Sequence, residues 1–418
     1  MTRSVVVGSG AREHALAHAL AQSSEVTVTP GNDGIAAHGL TCVATAATEL
    51  DADLFVIGPE APLVEGLADR LRKQGKTVVG PGEDGAQLEG SKSFMKEFLT
   101  VAGVPTAAYG IFSDEAAAAG FLDTMTPPYV IKTDGLAAGK GVLVTSDLDE
   151  AKRDIADKLS GKSFGVAGRT IVLEEALVGD ECSLHVLCDG TDVVVLASAQ
   201  DYKRVGDQDA GANTGGMGAY APMATLRDAD VSEVMRAIVA PTLAELKLRG
   251  IDFRGVLYAG LMLTAAGPKL LEYNVRFGDP EAEVLAPLYG SGLYDLLART
   301  GAGQLAGASM TTQGASVTVV LASEGYPQSP RTGDVIDGLG ADGQLATAMD
   351  NVIVFHAGTK RDDKGRFLTN GGRVLAVTGL GDTLADARER AYAGAALITF
   401  QGSVRRSDIA LSASQGET

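Results

Sequence analysis

The residues that could do chemistry are concentrated in the stretch KLLEYNVRFGDPEAE, residues 269–283. If its first part is a β-strand, Glu272, Asn274 and Arg276 share one face while the intervening apolar residues share the other. Carboxylate and amide oxygens are hard ligands of the kind that Mg²⁺ takes sparingly, and the guanidinium could bind a carboxylate or a phosphate. The turn at residues 278–280 follows at once, and functional groups tend to lie in such turns. The alternative is a half-exposed strand with a solvated polar face.

The composition narrows the class of protein. The chain has 418 residues and a formal net charge of −18, which indicates several domains and no general affinity for nucleic acid. The N-terminal residues show no signal-peptide pattern and no apolar run approaches the length of a membrane span, so we expect a cytoplasmic protein. The three cysteines show neither CxxC nor zinc spacing and are expected to be reduced thiols.

The N-terminal segment alternates β-branched runs with helical segments. Strands are predicted at residues 4–7, 26–29, 54–57 and 77–79, and helices at residues 12–22, 63–74 and 91–102. Glycines after the first strand suggest a phosphate at a helix N-terminus, although a plain βα turn is an equal alternative. A dinucleotide site is rejected because Glu13 stands where the third glycine of GxGxxG would fall. Several loops should gather at the carboxyl edge of one parallel sheet, where α/β proteins bind ligands.

A glycine-rich loop, TDGLAAGKG, joins two predicted strands at residues 129–132 and 142–145. It is one residue too short for a Walker A sequence and has Gly141 where serine or threonine should stand, so we reject a P-loop. It could instead fold over a triphosphate, with Lys140 and backbone N–H groups on the phosphates. Lys132 ends an apolar strand and therefore needs an anion or a carboxylate partner, unless its ammonium reaches water at the sheet edge.

Two further segments could bind a nucleotide or a substrate. The strand predicted at residues 170–173 leads into a hinge, residues 174–177, whose backbone could pair with an adenine edge while Glu181 takes ribose hydroxyls. The loop at residues 200–220 is long, glycine-containing and charged, and loops of this length are usually functional or disordered. Its apolar residues give it something to pack against, which favours function.

The other elements follow from periodicity. Ser113 is predicted to cap an alanine-rich helix, and further helices are predicted at residues 147–159, 229–248, 293–299 and 384–398. Further strands are predicted at residues 182–188, 193–199, 255–263, 317–322, 352–357 and 374–378, with a hairpin across residues 361–370. The strand at 255–263 should pair as a hairpin with the strand predicted at the start of residues 269–283. Lys360 and Arg373 stand beside glycines and, taken alone, are more typical of turns than of ligand sites.

With these segments in order, the chain resembles the ATP-grasp superfamily and, within it, the glycinamide ribonucleotide synthetases. The resemblance covers residues 3 to about 378 and rests on the ordered series GSGAREHAL, PGN, GPEAPLV, QLEGSKSFMKEF, IKTDGLAAGKGV, VLEE, QDYKRVGDQDAGANTGGMGAY, GVLYAGLM, EYNVRFGDPE, RTGDVI, FHAGTK and TNGGRVL. It implies a multidomain α/β and α+β fold: an N-terminal parallel α/β domain (residues 1–103), an ATP-grasp domain of two subdomains (residues 104–315, with a flap subdomain at about 112–190) and a small C-terminal α+β domain (residues 316–418).

The resemblance also implies a reaction. Members of that family join glycine to 5-phosphoribosylamine in the second step of purine biosynthesis, with ATP and Mg²⁺ or Mn²⁺, through a glycyl phosphate. Activation is needed because a carboxylate is a poor acyl donor at neutral pH, and the protein's part is mostly positioning and charge neutralisation. The implied partners are the two small-molecule substrates and, transiently, the preceding amidotransferase. No nucleic-acid or membrane partner is expected. The chain is expected to be monofunctional and monomeric.

The residue roles implied by the resemblance are carried over motif by motif. The implied metal ligands are Glu272 and Asn274, and the implied ATP contacts are Lys92, Lys132, Lys140, Glu174, Glu175, Ala176, Leu177 and Glu181. The implied glycine and ribosylamine contacts are Asp201, Asn213, Arg276, Gly278, Asp279 and Pro280, with Arg276, Asp201 and Lys140 as catalytic groups. The implied ribosyl phosphate contacts are Gly10, Asn32, Glu60, Lys360 and Arg373. Ala11 stands where the family often has glycine, and its methyl group narrows the room for a phosphate beside that turn.

Two rival interpretations stay open. Another ATP-grasp ligase could use the same fold with a different amino acid, and a wider pocket would then accept alanine. A nucleotide-binding regulator without turnover would bind ATP and form no ADP under any substrate mixture. The implied metal ligands and the three lysines favour an enzyme.

Overall fold

The N-terminal domain is a five-stranded parallel sheet with strand order β3-β2-β1-β4-β5 and helices around it. The structure is a computed structural model, and it describes residues 2–137, 141–163, 165–223 and 226–416. The strands are β1 (Arg3–Gly8), β2 (Glu25–Pro30), β3 (Thr41–Cys42), β4 (Leu54–Ile57) and β5 (Val78–Val79). The helices are α1 (Ala11–Leu20), α2 (Asp33–Ala37), α3 (Glu60–Val64), α4 (Leu67–Lys73), α5 (Glu83–Gly90) and α6 (Lys92–Ala102).

One helix of this domain was predicted wrongly. The segment at residues 63–74 is two helices, α3 and α4, because Gly66 takes a left-handed conformation with φ of 73° between them. A left-handed residue cannot continue a right-handed helix, and glycine adopts that conformation without a steric penalty. The short β3 had no distinct apolar run and was missed.

A second, smaller unit follows at residues 109–175, which we call the small unit. Its elements are β6 (Tyr109–Phe112), α7 (Glu115–Leu122), β7 (Tyr129–Thr133), β8 (Val142–Thr145), α8 (Leu148–Leu159) and β9 (Ile171–Glu175). The strands form an antiparallel sheet with order β6-β9-β7-β8, and α7 and α8 pack on it. The predicted cap Ser113 is wrong by one position: Asp114 caps α7, with its Oδ1 accepting from Ala117 N at 2.8 Å.

The chain then forms a larger antiparallel sheet with order β11-β10-β16-β17. The elements of this region are β10 (Asp180–Asp189), β11 (Val193–Val195), β12 (Gln200–Asp201), β13 (Arg204–Gly206), β14 (Ala210–Asn213), β15 (Gly218–Ala221), α9 (Asp228–Val234), α10 (Ala240–Leu248), β16 (Arg254–Thr264) and β17 (Gly267–Asn274). A π-helical segment, Met235–Val239, joins α9 to α10. The predicted hairpin between residues 255–263 and the stretch that begins at residue 269 is the β16–β17 pair.

The C-terminal region contributes most of a fourth sheet, with order β12-β15-β18-β22-β19. Its elements are α11 (Ala282–Tyr289), α12 (Leu293–Ala302), β18 (Ala315–Ala322), β19 (Val352–His356), β20 (Thr359–Arg361), β21 (Phe367–Thr369), β22 (Arg373–Gly381), α13 (Leu384–Ala396) and α14 (Leu411–Ser414). β12 and β15 come from the loop at residues 200–220, so that loop is ordered by joining a sheet. The predicted combination of a parallel α/β domain with α+β domains is confirmed.

The apolar cores divide the molecule in two. One core runs from Val5 to Ala410 and draws residues from the N-terminal domain, the larger sheet and the C-terminal sheet. The small unit has a core of its own, built only from residues 118–173. We call the described residues outside 109–175 the body. Among the described residues, no helix combines the length and the apolar composition that a bilayer crossing requires.

Candidate active site

The polar side chains of the larger sheet, β11-β10-β16-β17, lie mostly on one of its two faces. Residues paired directly across an antiparallel ladder share a face, and the register pairs Ser183 with Gly260, His185 with Tyr258, Gly260 with Glu272 and Tyr258 with Asn274. The opposite face is apolar and lies in the main core, with Cys182, Leu184, Val186, Leu257, Ala259 and Leu261. The alternation predicted for residues 269–276 therefore places the Glu272 carboxylate and the Asn274 amide on the polar face, away from the core.

Arg276 lies beside this pair, but β17 ends at Asn274, so the guanidinium extends from a bend and not from the strand. Its NH2 group donates to Asn274 Oδ1 at 3.0 Å and to Glu89 Oε1 at 2.6 Å. Its Nε is 3.6 Å from Glu60 Oε2. The expectation of a continuous strand through residue 276 is wrong. The guanidinium still lies beside the amide because a side-chain hydrogen bond holds it there, and its charge acts on the Glu272 carboxylate.

Glu272 is surrounded by cations. Burial would raise its pKa, but the charges of Lys203, Lys92 and Lys132 outweigh burial and hold the pKa below its ordinary value. The group is therefore a carboxylate at neutral pH. An ionised carboxylate beside an amide oxygen is a donor set that suits a hard divalent cation.

Two lysines share one buried carboxylate next to this face. Lys132 Nζ lies 3.0 Å from Glu174 Oε1, and Lys96 Nζ lies 3.1 Å from Glu174 Oε2. The carboxylate partner that the sequence required for Lys132 is thus Glu174. Lys92 opens α6, where its backbone N–H donates to Asp134 O at 3.0 Å. The predicted phosphate contact Lys140 lies outside the described residues.

The hinge differs in part from the prediction. Glu174 and Glu175 are the last residues of β9, so the connection itself begins at Ala176 and continues through Leu177. Glu175 Oε1 accepts from Ala108 N at 3.0 Å and pairs with a lysine of the body, Lys269, at 3.1 Å. Side chains of the two glutamates are therefore held by protein groups, while the backbone of residues 176–177 leaves the ladder.

Asp201 is partly buried beside the polar face. Burial, reinforced by the charges of Glu281 and Glu181 and opposed by Lys203, raises its pKa to about 7. Glu181, predicted for ribose hydroxyls, is in close ion contact with Lys203. Asn213 lies opposite Arg204 in the β13–β14 hairpin. A carboxyl that titrates near neutrality can gain or lose a proton during a reaction.

Glu281 is a buried carboxylate on this face. Its Oε1 accepts from Tyr258 OH at 2.5 Å and from Ser183 Oγ at 3.2 Å. Gly278 packs against it so closely that a Cβ at position 278 would lie 2.3 Å from Glu281 Oε2. The Gly278 N–H also lies 3.2 Å from His185 Nε2. A side chain at position 278 would therefore force the Glu281 carboxylate away from its hydrogen bonds to Tyr258 and Ser183, and glycine avoids that shift.

The N-terminal groups assigned to the ribosyl phosphate are partly occupied by protein contacts. The Gly10 N–H donates to Glu13 Oε2 at 2.7 Å. Asn32 caps α2 through Oδ1, and its Nδ2 donates to Ser9 O at 2.8 Å and to two carbonyls of the C-terminal region at 3.1 Å. The side-chain amide of Asn32 therefore joins two domains.

Arg373 reaches the turn at residues 278–280 from the C-terminal sheet. Its NH2 group pairs with Asp279 Oδ2 at 2.8 Å, and its NH1 group donates to Asp279 O at 2.9 Å and to Gly215 O at 2.6 Å. Glu60, on α3, and Arg12, on α1, interact electrostatically with the same cluster. Lys360 is exposed on β20. The structure thus brings Glu60, Arg276, Asp279 and Arg373 together.

Several charged residues of the site were not singled out from the sequence, although each lies inside one of the motifs that carry the family resemblance. They are Arg12, Glu89, Lys96, Lys203 and Glu281. Only for Lys96 was a signal present, since it follows Lys92 by four residues and therefore lies on the same face of α6. For the others, contact depends on elements that are distant in the chain.

Comparisons with known proteins agree along the whole chain. Three family models match in order: phosphoribosylglycinamide synthetase N domain (residues 2–89), ATP-grasp (A) domain (residues 90–282) and C domain (residues 316–412). A phosphoribosylamine–glycine ligase of Caulobacter vibrioides is 46% identical over 422 residues, covering 97% of each chain. One of Mycobacterium leprae is 45% identical and covers 99% of each.

Solved structures give the same result. A phosphoribosylamine–glycine ligase of Thermotoga maritima superposes with a TM-score of 0.86 at 34% identity, covering 97% of this chain and 100% of that one. The biotin carboxylase domain of a Hydrogenobacter thermophilus 2-oxoglutarate carboxylase, solved with MgADP, matches with a TM-score of 0.71 at 17% identity, covering 97% and 92%. That second match shows the fold alone. The chain belongs to the phosphoribosylglycinamide synthetase family.

Proposed function

We propose that this chain is a carbon–nitrogen ligase that joins glycine to 5-phosphoribosylamine and converts ATP to ADP and phosphate. The observation that carries the proposal is the match to phosphoribosylamine–glycine ligases over 97% of the chain at 46% identity. The polar face of the larger sheet supports it, because carboxylate, amide and guanidinium groups lie together beside buried lysines there.

The reaction has two steps. A glycine carboxylate oxygen attacks the γ-phosphorus of ATP, so that a new P–O bond forms while the bond to ADP breaks. The amine of phosphoribosylamine then attacks the glycyl carbonyl, phosphate leaves and the nitrogen loses a proton. The protein lowers both barriers chiefly by holding the reactants and by neutralising charge as it develops.

Lysines and two oxygen ligands would hold the nucleotide and its cation. Lys92, Lys132 and Lys140 bind the triphosphate, and the backbone of the hinge at residues 174–177 takes the adenine. Glu272 and Asn274 hold one Mg²⁺ or Mn²⁺, which when bound offsets the charge on the phosphates. The described residues contain no group of three or more His, Cys, Asp or Glu suited to a metal, so the protein supplies few ligands. A two-ligand site agrees with Mg²⁺ chemistry, in which phosphates and water complete the coordination.

The acceptor side would use Arg276, Asp201 and the turn at residues 278–280. The guanidinium of Arg276 is held at 2.6 Å by Glu89, so it is oriented before an anionic substrate arrives. Asp201, with its pKa near 7, takes the proton that the amine releases. Glu181 binds the ribose of ATP, and Asn213 lines the substrate side.

The ribosyl phosphate would lie between the N-terminal loops and the C-terminal sheet. Arg373 and Lys360 provide positive charge there, and Gly10, Asn32 and Glu60 border the same space. Direct contact by Asn32 requires one of its present hydrogen bonds to be exchanged. We also propose a cytoplasmic monomer, with domain limits near residues 103 and 315.

The test is a phosphate-release assay on the purified chain with ATP, Mg²⁺, glycine and freshly made phosphoribosylamine. We expect steady phosphate release only when both acceptors are present, and little release when alanine replaces glycine. Release that does not require phosphoribosylamine would contradict the assignment. Full activity with alanine would favour another ATP-grasp ligase.

A further inference from the structure

We propose that Lys96 is a positioning residue: it keeps Glu174 neutralised, so that Lys132 is free to leave that carboxylate and bind the triphosphate. The inference rests on the proposed ATP site. It concerns a side chain with no exposed surface, which cannot be explained as a surface contact for a ligand.

Two ammonium groups share the single negative charge of Glu174. Lys132 lies on Oε1 at 3.0 Å and Lys96 on Oε2 at 3.1 Å. All three side chains are buried, since the exposed fraction is 2% for Glu174, 7% for Lys132 and 0% for Lys96. A buried carboxylate that loses its only cationic partner is strongly destabilised. With two partners, Glu174 can release one and remain paired.

Lys96 is the more firmly held of the two lysines. Its Nζ also donates to Thr106 Oγ1 at 2.7 Å and lies 5.7 Å from the centre of the Tyr109 ring. Thr106 Oγ1 in turn donates to a carbonyl of β17, Leu270 O, at 2.7 Å. Lys96 is thus tied to the helix that carries it, to the small unit and to the strand that carries Glu272.

Lys132 is held less tightly. Its hydrogen bond goes to Leu271 O at 3.3 Å, a long contact. Its approach to Glu174 at 3.0 Å is an ion contact without hydrogen-bond alignment, because the buried Glu174 Oε1 has no hydrogen-bond partner within the part of the chain that the structure describes. Lys132, whose charge acts on Glu272, is therefore the lysine that can move, and Lys96 is the lysine that stays on Glu174.

Loss of the charge on Lys96 should weaken ATP binding from a distance. Lys132 would become the only cation on a buried carboxylate, and moving it to ATP would leave that carboxylate unpaired. ATP affinity should fall even though Lys96 makes no contact with the nucleotide. Removing the carboxylate in the same molecule should restore most of the affinity, because an amide at position 174 needs no cationic partner.

The experiment measures ATP dissociation constants by calorimetry with Mg²⁺ present, together with KM for ATP and kcat. Lys96→Met, a neutral variant of similar length, should weaken ATP binding about tenfold and raise KM for ATP more than it lowers kcat. The double variant Lys96→Met with Glu174→Gln should bind ATP within about threefold of Glu174→Gln alone and more tightly than Lys96→Met. A single variant that binds ATP normally, or a double variant that binds no better than the single, would overturn the inference.

Controls separate the possible failures. Lys158→Met removes another buried lysine, from α8, and should lower stability without changing ATP affinity. Lys132→Met should abolish ATP binding, and if it does not, the proposed ATP site is wrong. If Lys132→Met abolishes ATP binding but Lys96→Met has no effect on it, only this inference is refuted. If Lys96→Met does not fold, the double variant is compared with Glu174→Gln alone. Equal ATP affinities would support the inference, and a further loss in the double variant would refute it.

Discussion

The interactions within the body differ from those that join the small unit to it. The body has an apolar core that runs through all three regions of the chain, from Val5 to Ala410. The small unit has an apolar core of its own, and polar contacts link the unit to the body, including Ser93 N to Asp134 Oδ1 at 2.6 Å and Lys96 to Glu174. Polar contacts can exchange one partner for another, whereas a close-packed apolar core loses its contacts when it is opened. We therefore expect nucleotide binding to act at a joint between two rigid parts.

The largest effect should come from the body side of that joint. Glu272→Gln should lower kcat by about 10²–10³-fold while weakening ATP binding less than tenfold, because cation charge matters most as charge develops on the transferring phosphoryl group. Calorimetry and phosphate release measure the two quantities. Glu233→Gln, in an exposed pair with Arg236, is the matched control and should behave like the original protein. Equal losses of turnover and binding would show that the lysines and the carboxylate do not have separate tasks.

A pair of core substitutions would test whether the two parts unfold separately. Ile155, in the small unit, and Ile238, in the body, are both fully buried, and replacing either with alanine should cost about 2–5 kcal/mol. Ile155→Ala should speed amide exchange within residues 109–175 alone, whereas Ile238→Ala should lower the midpoint of global unfolding. Hydrogen exchange followed by mass spectrometry distinguishes them. Equal acceleration throughout the body in Ile155→Ala would contradict the division.

A smaller difference should appear in acid. Four of the five histidines lie together where α1 and β19 meet: His14, His18, His38 and His356. The His356 N–H lies 2.9 Å from His14 Nδ1, and His14 Nε2 lies 2.8 Å from His38 Nδ1. Burial lowers the pKa of His18 and of His356 to about 4 and also lowers those of His14 and His38. These rings are therefore neutral in the folded body at pH 7.

Acid should destabilise the body through these rings. The unfolded chain binds protons on them below about pH 6.5 and the folded chain does not, so their contribution to stability is complete above pH 6.5 and is lost as the pH falls toward 4. Residues 109–175 contain no histidine. Because the chain has no tryptophan, Phe112→Trp reports on the small unit and Tyr294→Trp on the body. Between pH 7 and pH 5 the body signal should lose about 5 °C in its unfolding midpoint and the small-unit signal clearly less. Equal shifts would remove this difference between the parts.

Local sequence patterns predicted many helices and strands well, but they predicted poorly which residues meet in the folded chain. The strand at residues 54–57 and the strand at 142–145 were predicted with the observed limits. The error at Gly66 arose because the residues on both sides of it suit a helix, whereas Gly66 itself takes a left-handed conformation that separates two helices. The roles assigned to the site residues stay predictions. Their placement beside one another could be anticipated only for residues on one strand or one helix.

The sequence by itself determined the family, the order of the domains and the alternation that separates Glu272 and Asn274 from the core, because periodicity and motif order are local properties of the chain. Only the tertiary structure decided which charges meet: that Glu174 lies between Lys96 and Lys132, that Arg276 is held by Glu89, and that Arg373 reaches Asp279 from another domain. The physical reason is that a buried charge must find its partner in space, and separation along the chain places no limit on where that partner lies.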